Sequence, residues 1–139
     1  MASFNKFDSF VEALAEGVHD LENDVLKVML TNTAPQAYNE TRASINELST
    51  GNGYVSGGVT ASMDNSGQSG GTYTLILSDA TITASGGSIG PFRYAVLYNY
   101  TATNQELIGY WDYGSSTSLT AGQSLLIDFD NVNGVLSIE

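Results

Sequence analysis

The chain of 139 residues has no cysteine, one histidine, one tryptophan and two prolines. It has four Lys and Arg against fifteen Asp and Glu. Without cysteine there are no disulfides, no thiolate nucleophiles and no thiolate metal ligands. A single histidine leaves little material for an imidazole-based catalytic or zinc site. The formal net charge of -11 argues against nucleic acid or an anionic membrane as partner, because both need a basic footprint. No apolar run approaches the roughly 18 residues of a membrane-spanning helix. Met1 to Leu21 has no uninterrupted apolar stretch and does not read as a signal peptide, so synthesis in a cytoplasm is expected. No internal repeat is visible. No cofactor is expected. Gly51-Asn52-Gly53-Tyr54 with Gly57-Gly58 precedes no helix and lacks a phosphate-binding lysine. Ser115, Ser116 and Ser118 lack the Gly-x-Ser-x-Gly elbow of serine hydrolases.

What is present is small, polar and neutral. Gly, Ser, Thr and Asn supply 55 of the 139 residues, a composition of turns and hydroxyls. The length suits one domain with a working core. The acids are unevenly spread: residues 1–24 hold six of the fifteen and a single lysine.

Two periodicities divide the chain. In Ser3 to Leu21 the apolar residues Phe4, Phe7, Val11, Leu14, Val18 and Leu21 recur at spacings of three and four, the pattern of one amphipathic helix. Ser3 is the expected N-cap. The opposite face carries Asp8, Glu12, Glu16 and Asp20. Like charges four apart cost an isolated helix roughly 0.2–0.5 kcal/mol per pair, so packing must hold it. This acidic ridge is the candidate partner-facing surface; its plain alternative is a solvated face. His19, between acids on that helix, is expected to be solvated.

From Asp24 onward the period is two. Strands are expected over Asp24–Leu30, Val59–Met63, Gly71–Ser78, Thr81–Ala84, Phe92–Tyr100, Leu107–Tyr113, Ser124–Asp130 and Gly134–Ile138. Asp64–Gly71 reads as a loop. Phe92–Tyr100 is apolar on both faces and should be a central strand. In Ser124–Asp130, Leu125, Ile127 and Phe129 face inward while Asp128 and Asp130 face outward. The expectation is a single mainly-β domain, 1–139: a helix over 1–22, then an antiparallel, jelly-roll-like β-sandwich over 24–139.

Candidate chemistry is sparse. Asp128-Phe129-Asp130 with Glu139 has part of a calcium-loop spacing, but Val132 and Asn133 stand where such a loop needs an oxygen ligand and a glycine. The alternative is a strand ending in a hairpin turn at Asn133-Gly134. No metal is expected. Asp112, Asp128 and Asp130 are the acids from which a glycosidase pair would be drawn, with nothing in their spacing to favour one. Trp111, Tyr110 and Tyr113 could form a sugar-stacking platform if coplanar and exposed. Arg93, should its face be buried, needs a carboxylate, and Asp112 on a neighbouring strand is the candidate.

Several stretches together resemble a known group. They are Phe4-Asn5-Lys6-Phe7 with Phe10 to Val18, Leu26 to Pro35, Gly51-Asn52-Gly53-Tyr54 with Gly57-Gly58, Phe92 to Tyr98, Leu107-Ile108-Gly109, Trp111-Asp112-Tyr113-Gly114, and Asp128-Phe129-Asp130. In this order, covering roughly Phe4 to Leu136, they resemble small structural proteins encoded in the morphogenesis regions of tailed bacteriophages. The resemblance implies a non-enzymatic virion component made in the bacterial cytoplasm. It points first to a capsid decoration or cement protein on the outside of the major capsid protein. Such proteins are β-rich and frequently homotrimeric. A tail or baseplate component and a carbohydrate-binding module remain the alternatives. No catalytic residue comes with the resemblance.

Overall fold

The computed structural model describes residues 2–139. In chain order the strands and helix are β1 (Phe4–Lys6), α1 (Ser9–Ala15), β2 (Leu26–Thr31), β3 (Val59–Ala61), β4 (Met63–Ser69), β5 (Thr72–Leu77), β6 (Ala80–Thr83), β7 (Ile89–Asn99), β8 (Leu107–Leu119), β9 (Ser124–Ile127) and β10 (Leu136–Ile138). One 3-10 turn, Arg42–Ser44, lies between β2 and β3. Three antiparallel sheets result: β1-β8-β7-β2-β3, β10-β5-β4 and β6-β9. The protein is mainly β with one short N-terminal helix.

The strand from Phe92 is central, as its two apolar faces require. Val28, Leu30, Ala95, Leu97 and Ile108 turn into the larger core, which also holds side chains of β5, β6, β9 and β10. Met29, Val96, Tyr98 and Leu107 face the other way, into a smaller core closed by Phe7, Ile45 and Tyr110. A register shift between Leu97 and Tyr98 in the β7–β8 ladder leaves Ile108 without a Cα partner. That bulge lets Leu107 and Tyr110 share one face while Ile108 and Trp111 share the other.

Four local expectations are corrected. The helix spans only Ser9–Ala15, with Asp8 and not Ser3 at its N-cap. Phe4–Lys6 instead pairs with Gly109–Trp111, because a sheet edge bonds every second backbone group and Phe4 packs on Trp111 at a centroid distance of 5.3 Å. The chain leaves the helix at Glu16, and Gly17 follows at φ +80, the left-handed stop that glycine supplies at helix ends. The three-four stripe therefore is not one face: Val11 is 53% and Val18 39% exposed. Asp64–Gly71 is not a loop; most of it is β4, the outer strand of a hairpin closed by Gly70-Gly71. Finally, Asn133-Gly134 closes no hairpin, since β9 pairs with β6 and β10 with β5.

The segment between β2 and β3 has little regular structure and is held by one partly buried carboxylate. Glu47 Oε1 accepts from Arg42 Nε (3.3 Å) and Nη2 (3.1 Å). Its Oε2 accepts from Tyr54 Oη (2.7 Å) and from the Gly57 N–H (2.5 Å). Tyr54 Oη in turn accepts from the Leu30 N–H on β2 (3.0 Å), and Tyr98 Oη donates to the Gly57 carbonyl (2.6 Å). Burial pushes the Tyr54 hydroxyl far up and the Tyr98 hydroxyl up to about 12, so both stay protonated donors. Next in the chain, Gly58 has φ +81, and a Cβ there would sit 1.9 Å from the Val28 carbonyl oxygen. Only glycine lets β3 start against β2 at that point.

Tyr54→Phe removes a donor to Glu47 and the acceptor of a buried N–H while conserving shape. Stranding those groups should cost about 1–3 kcal/mol. The urea midpoint should fall with the m-value unchanged.

Candidate functional site

A groove of about 510 Å³ beside α1 combines charged groups with exposed apolar side chains. Asp8, Ser9, Val11, Glu12, Ala13 and Glu16 form one wall. Tyr38, Glu40 and Thr41, from the segment after β2, and Asn104 and Glu106, before β8, complete it with Val18. Backbone bonds assemble these pieces. The Asp8 N–H donates to the Ala37 carbonyl (2.9 Å), the Arg42 N–H to Gln105 (3.0 Å) and the Leu107 N–H to Glu40 (2.9 Å). Five carboxylates line the groove and no Lys or Arg does. Tyr38 is 73% exposed. Two polar atoms of the lining, Ser9 Oγ and Glu106 Oε2, are buried without a hydrogen-bond partner.

The expected ridge is therefore redrawn. Asp8, Glu12 and Glu16 belong to the groove, but Asp20 does not. With the helix ended at Ala15, Asp20 caps its own turn, accepting from the Glu22 N–H (3.2 Å), the Asn23 N–H (3.2 Å) and Asn23 Nδ2 (2.9 Å). The Asn23 side chain leads the causes that hold its carboxyl below the ordinary range. Glu40, Glu106, Tyr38, Val11 and Val18 enter in its place. Tyr38 and Glu40, and separately Glu106, come from other parts of the chain, and no local pattern ties them to α1, whereas Val11 lies on α1 and Val18 just after it. The Glu16-Gly17 helix stop was the one available signal.

His19 is not solvated, contrary to the sequence reading. It is 6% exposed, with its ring 5.4 Å from that of Phe10. Asn99, fully buried, orients it. Asn99 Oδ1 accepts from the Thr101 and Ala102 N–H groups (3.0 and 3.1 Å), which fixes the amide. Its Nδ2 then faces both Asp24 Oδ2 (2.7 Å) and His19 Nδ1 (3.0 Å). With both amide protons committed, Nδ1 must accept, and the ring proton sits on Nε2. A protonated His19 would set two donors against each other. Burial leads in lowering its pKa, against the opposing pull of Glu106 and Asp24.

Arg93 and Asp112 do pair, Nε to Oδ1 at 2.8 Å and Nη2 to Oδ2 at 3.1 Å. The pair is half-exposed, at 38% and 37% for the two side chains, so burial is not what demands it. The Arg93 hydrogen bond is the main reason the Asp112 carboxyl titrates low. Solvent screens so exposed a pair, and it adds little to stability.

The remaining candidates lie apart. Trp111 is buried between Phe4 and Phe129 (5.3 and 5.7 Å). Tyr110 points to the opposite face of β8, against Phe7, so the two rings offer no common platform. Asp130 accepts from the N–H groups of Val132 (2.9 Å) and Asn133 (2.7 Å) and from Asn133 Nδ2 (3.0 Å). These bonds, those of Asn133 foremost, hold its carboxyl low. Asp128 is exposed. Among the described residues no three His, Asp or Glu side chains are placed to hold a metal ion, and no helix is long and apolar enough to cross a membrane. A second groove, about 390 Å³, is lined by neutral groups such as Asn32, Asn46, Thr50, Asn52 and Ser88 around Glu47 and Tyr54.

No family model, no curated protein and no solved structure matches the chain.

Because His19 is held neutral, the unfolded chain binds the extra proton as pH falls below the ordinary value of 6.5. Stability is complete above that pH and declines below it, down to the lowered folded pKa. The low-titrating carboxyls Asp20, Asp112 and Asp130 act only below their ordinary 3.8. Thermal midpoints from about pH 7.5 to about pH 5 should therefore fall in the native protein and run flatter in His19→Gln, which cannot take the proton.

Proposed function

We propose that the protein is a non-enzymatic structural component of a tailed-bacteriophage virion, in the first place a capsid decoration protein. In this reading it is made in the host cytoplasm, and its partners are the major capsid protein and further copies of itself, arranged as a homo-oligomer such as a trimer. It binds the outside of the shell and stabilises it. The observation that carries the proposal is the groove beside α1. Five carboxylates around exposed Val11, Val18 and Tyr38 form a surface suited to another protein. Charged groups there give orientation and rate, and apolar side chains give contact. The order of motifs along the chain supplies the virion context. We also propose that the sheets face one another as a sandwich, supported by the single core cluster that joins residues of β2, β5, β6, β7, β9 and β10. An oligomer touching several shell subunits would gain avidity through effective concentration.

Co-sedimentation with undecorated capsids is the direct test. The native protein should pellet with shells, less so as salt rises. Glu12→Lys with Glu16→Lys should weaken binding at least tenfold, roughly 1.4 kcal/mol or more, with an unchanged far-ultraviolet spectrum. A native protein that ignores shells and is found by labelling on the tail would overturn the decoration reading.

A further inference from the structure

We infer that the groove beside α1 receives an arginine-bearing segment of a different protein, with a guanidinium paired to Glu106. The inference rests on the reading of that groove as a docking surface and not on the virion setting.

Its first support is charge without compensation. Asp8, Glu12, Glu16, Glu40 and Glu106 line one hollow of about 510 Å³. The two ion pairs among the described residues, Arg42–Glu47 and Arg93–Asp112, involve none of them. Like charges gathered without a cation build a negative potential that draws one in. These acids do not converge on a point, since no three of the described side chains are placed to hold a metal ion. An extended organic cation fits such a spread better than a bare ion.

The second support is independent of net charge. Glu106 Oε2 is buried and accepts no hydrogen bond, and Ser9 Oγ in the same lining is also buried and unpartnered. A carboxylate oxygen cut off from water and left without a donor is costly. A guanidinium brings five N–H donors and no acceptor. Tyr38, 73% exposed, and Val11, 53% exposed, stand in the same lining. Guanidinium stacks on aromatic faces and is more weakly hydrated than an ammonium, so this mixed wall favours arginine over lysine.

A second copy of the chain does not supply the cation. Of its four basic residues, Arg42 and Arg93 are paired, and Lys27 Nζ lies 4.0 Å from the centre of the Tyr100 ring. Lys6 alone is left to face five carboxylates. Two chains of net charge -11 also repel one another. The occupant is therefore another protein, one that presents arginine beside apolar residues.

Fluorescence anisotropy with a labelled hexapeptide of alternating leucine and arginine is the test. The native protein should bind it, and should bind the citrulline version, equal in shape but uncharged, at least about tenfold more weakly. The lysine version should also bind more weakly, and Tyr38→Ala should erase that preference. Glu106→Gln should weaken arginine-peptide binding by about tenfold or more while the thermal midpoint stays level or rises, because the buried oxygen no longer bears a charge. Asp64→Asn with Asp128→Asn removes two exposed acids outside the groove and should leave binding within about twofold. An equal loss in that control, or equal binding of the citrulline peptide, overturns the inference. Self-association abolished by Lys6→Gln overturns it in favour of a second copy. Arginine-peptide binding by a protein that ignores shells supports the inference and refutes the capsid reading. Shell binding that Glu106→Gln leaves unchanged does the reverse.

Discussion

Glu47 is one carboxylate on which the longest irregular stretch of the chain depends. Its side chain is only 10% exposed, and a charge in that position is tolerable only if its oxygens are occupied. Arg42, Tyr54 and the Gly57 backbone occupy them, and each ties a different point of the segment. Tyr54 passes the constraint to β2 through the Leu30 N–H, and Tyr98 passes it to β7 through the Gly57 carbonyl. The segment between β2 and β3 is thus held to the two most buried strands by polar bonds, with little of its own apolar surface. Its oxygens are taken up by partners within the segment, which separates it from the acids beside α1.

The same segment, once held, makes the groove. The stretch before Arg42 runs past α1 and past the start of β8, bonded to both. The helix is seven residues long, too short to be stable by propensity alone. It is seated through Phe10, which packs on His19, and His19 is oriented by Asn99 at the end of β7. Glu12 and Glu16 repel one another, and Glu16 stands at the negative end of the helix dipole. The local charge arrangement opposes the helix that carries it, and tertiary contacts hold the helix regardless. Local rules broken in this way concentrate where a surface serves something other than stability.

Most of the strands were legible because burial imposes a period of two. Ala95 to Tyr98 alternates between two cores, with Phe92 out of step across the register shift before Tyr94, and Leu125, Ile127 and Phe129 turn inward where Asp128 faces water. The Arg93–Asp112 pair was legible for a similar reason, since adjacent strands carry the two residues. β4 was not legible. Its residues are polar, small and exposed, so no apolar alternation marks them, and only pairing with β5 makes them a strand. The N-terminal helix was overread for the opposite reason. Phe4, Phe7, Val11, Leu14, Val18 and Leu21 do keep a helical spacing, but Phe4 answers to Trp111 across a sheet edge and Gly17 ends the helix.

By itself, the sequence determined the mainly-β character, the acidity of the first two dozen residues and the absence of thiol groups. These follow from composition and from periods that one face of burial imposes on neighbouring residues. Tertiary structure decided which acids share a surface, that His19 is buried and neutral, and that a run of serine, glycine and glutamine is a free sheet edge. Each of these depends on residues far apart in the chain, such as Glu12 and Glu106, or His19 and Asn99. Their proximity comes from strand pairing and leaves no trace in local spacing.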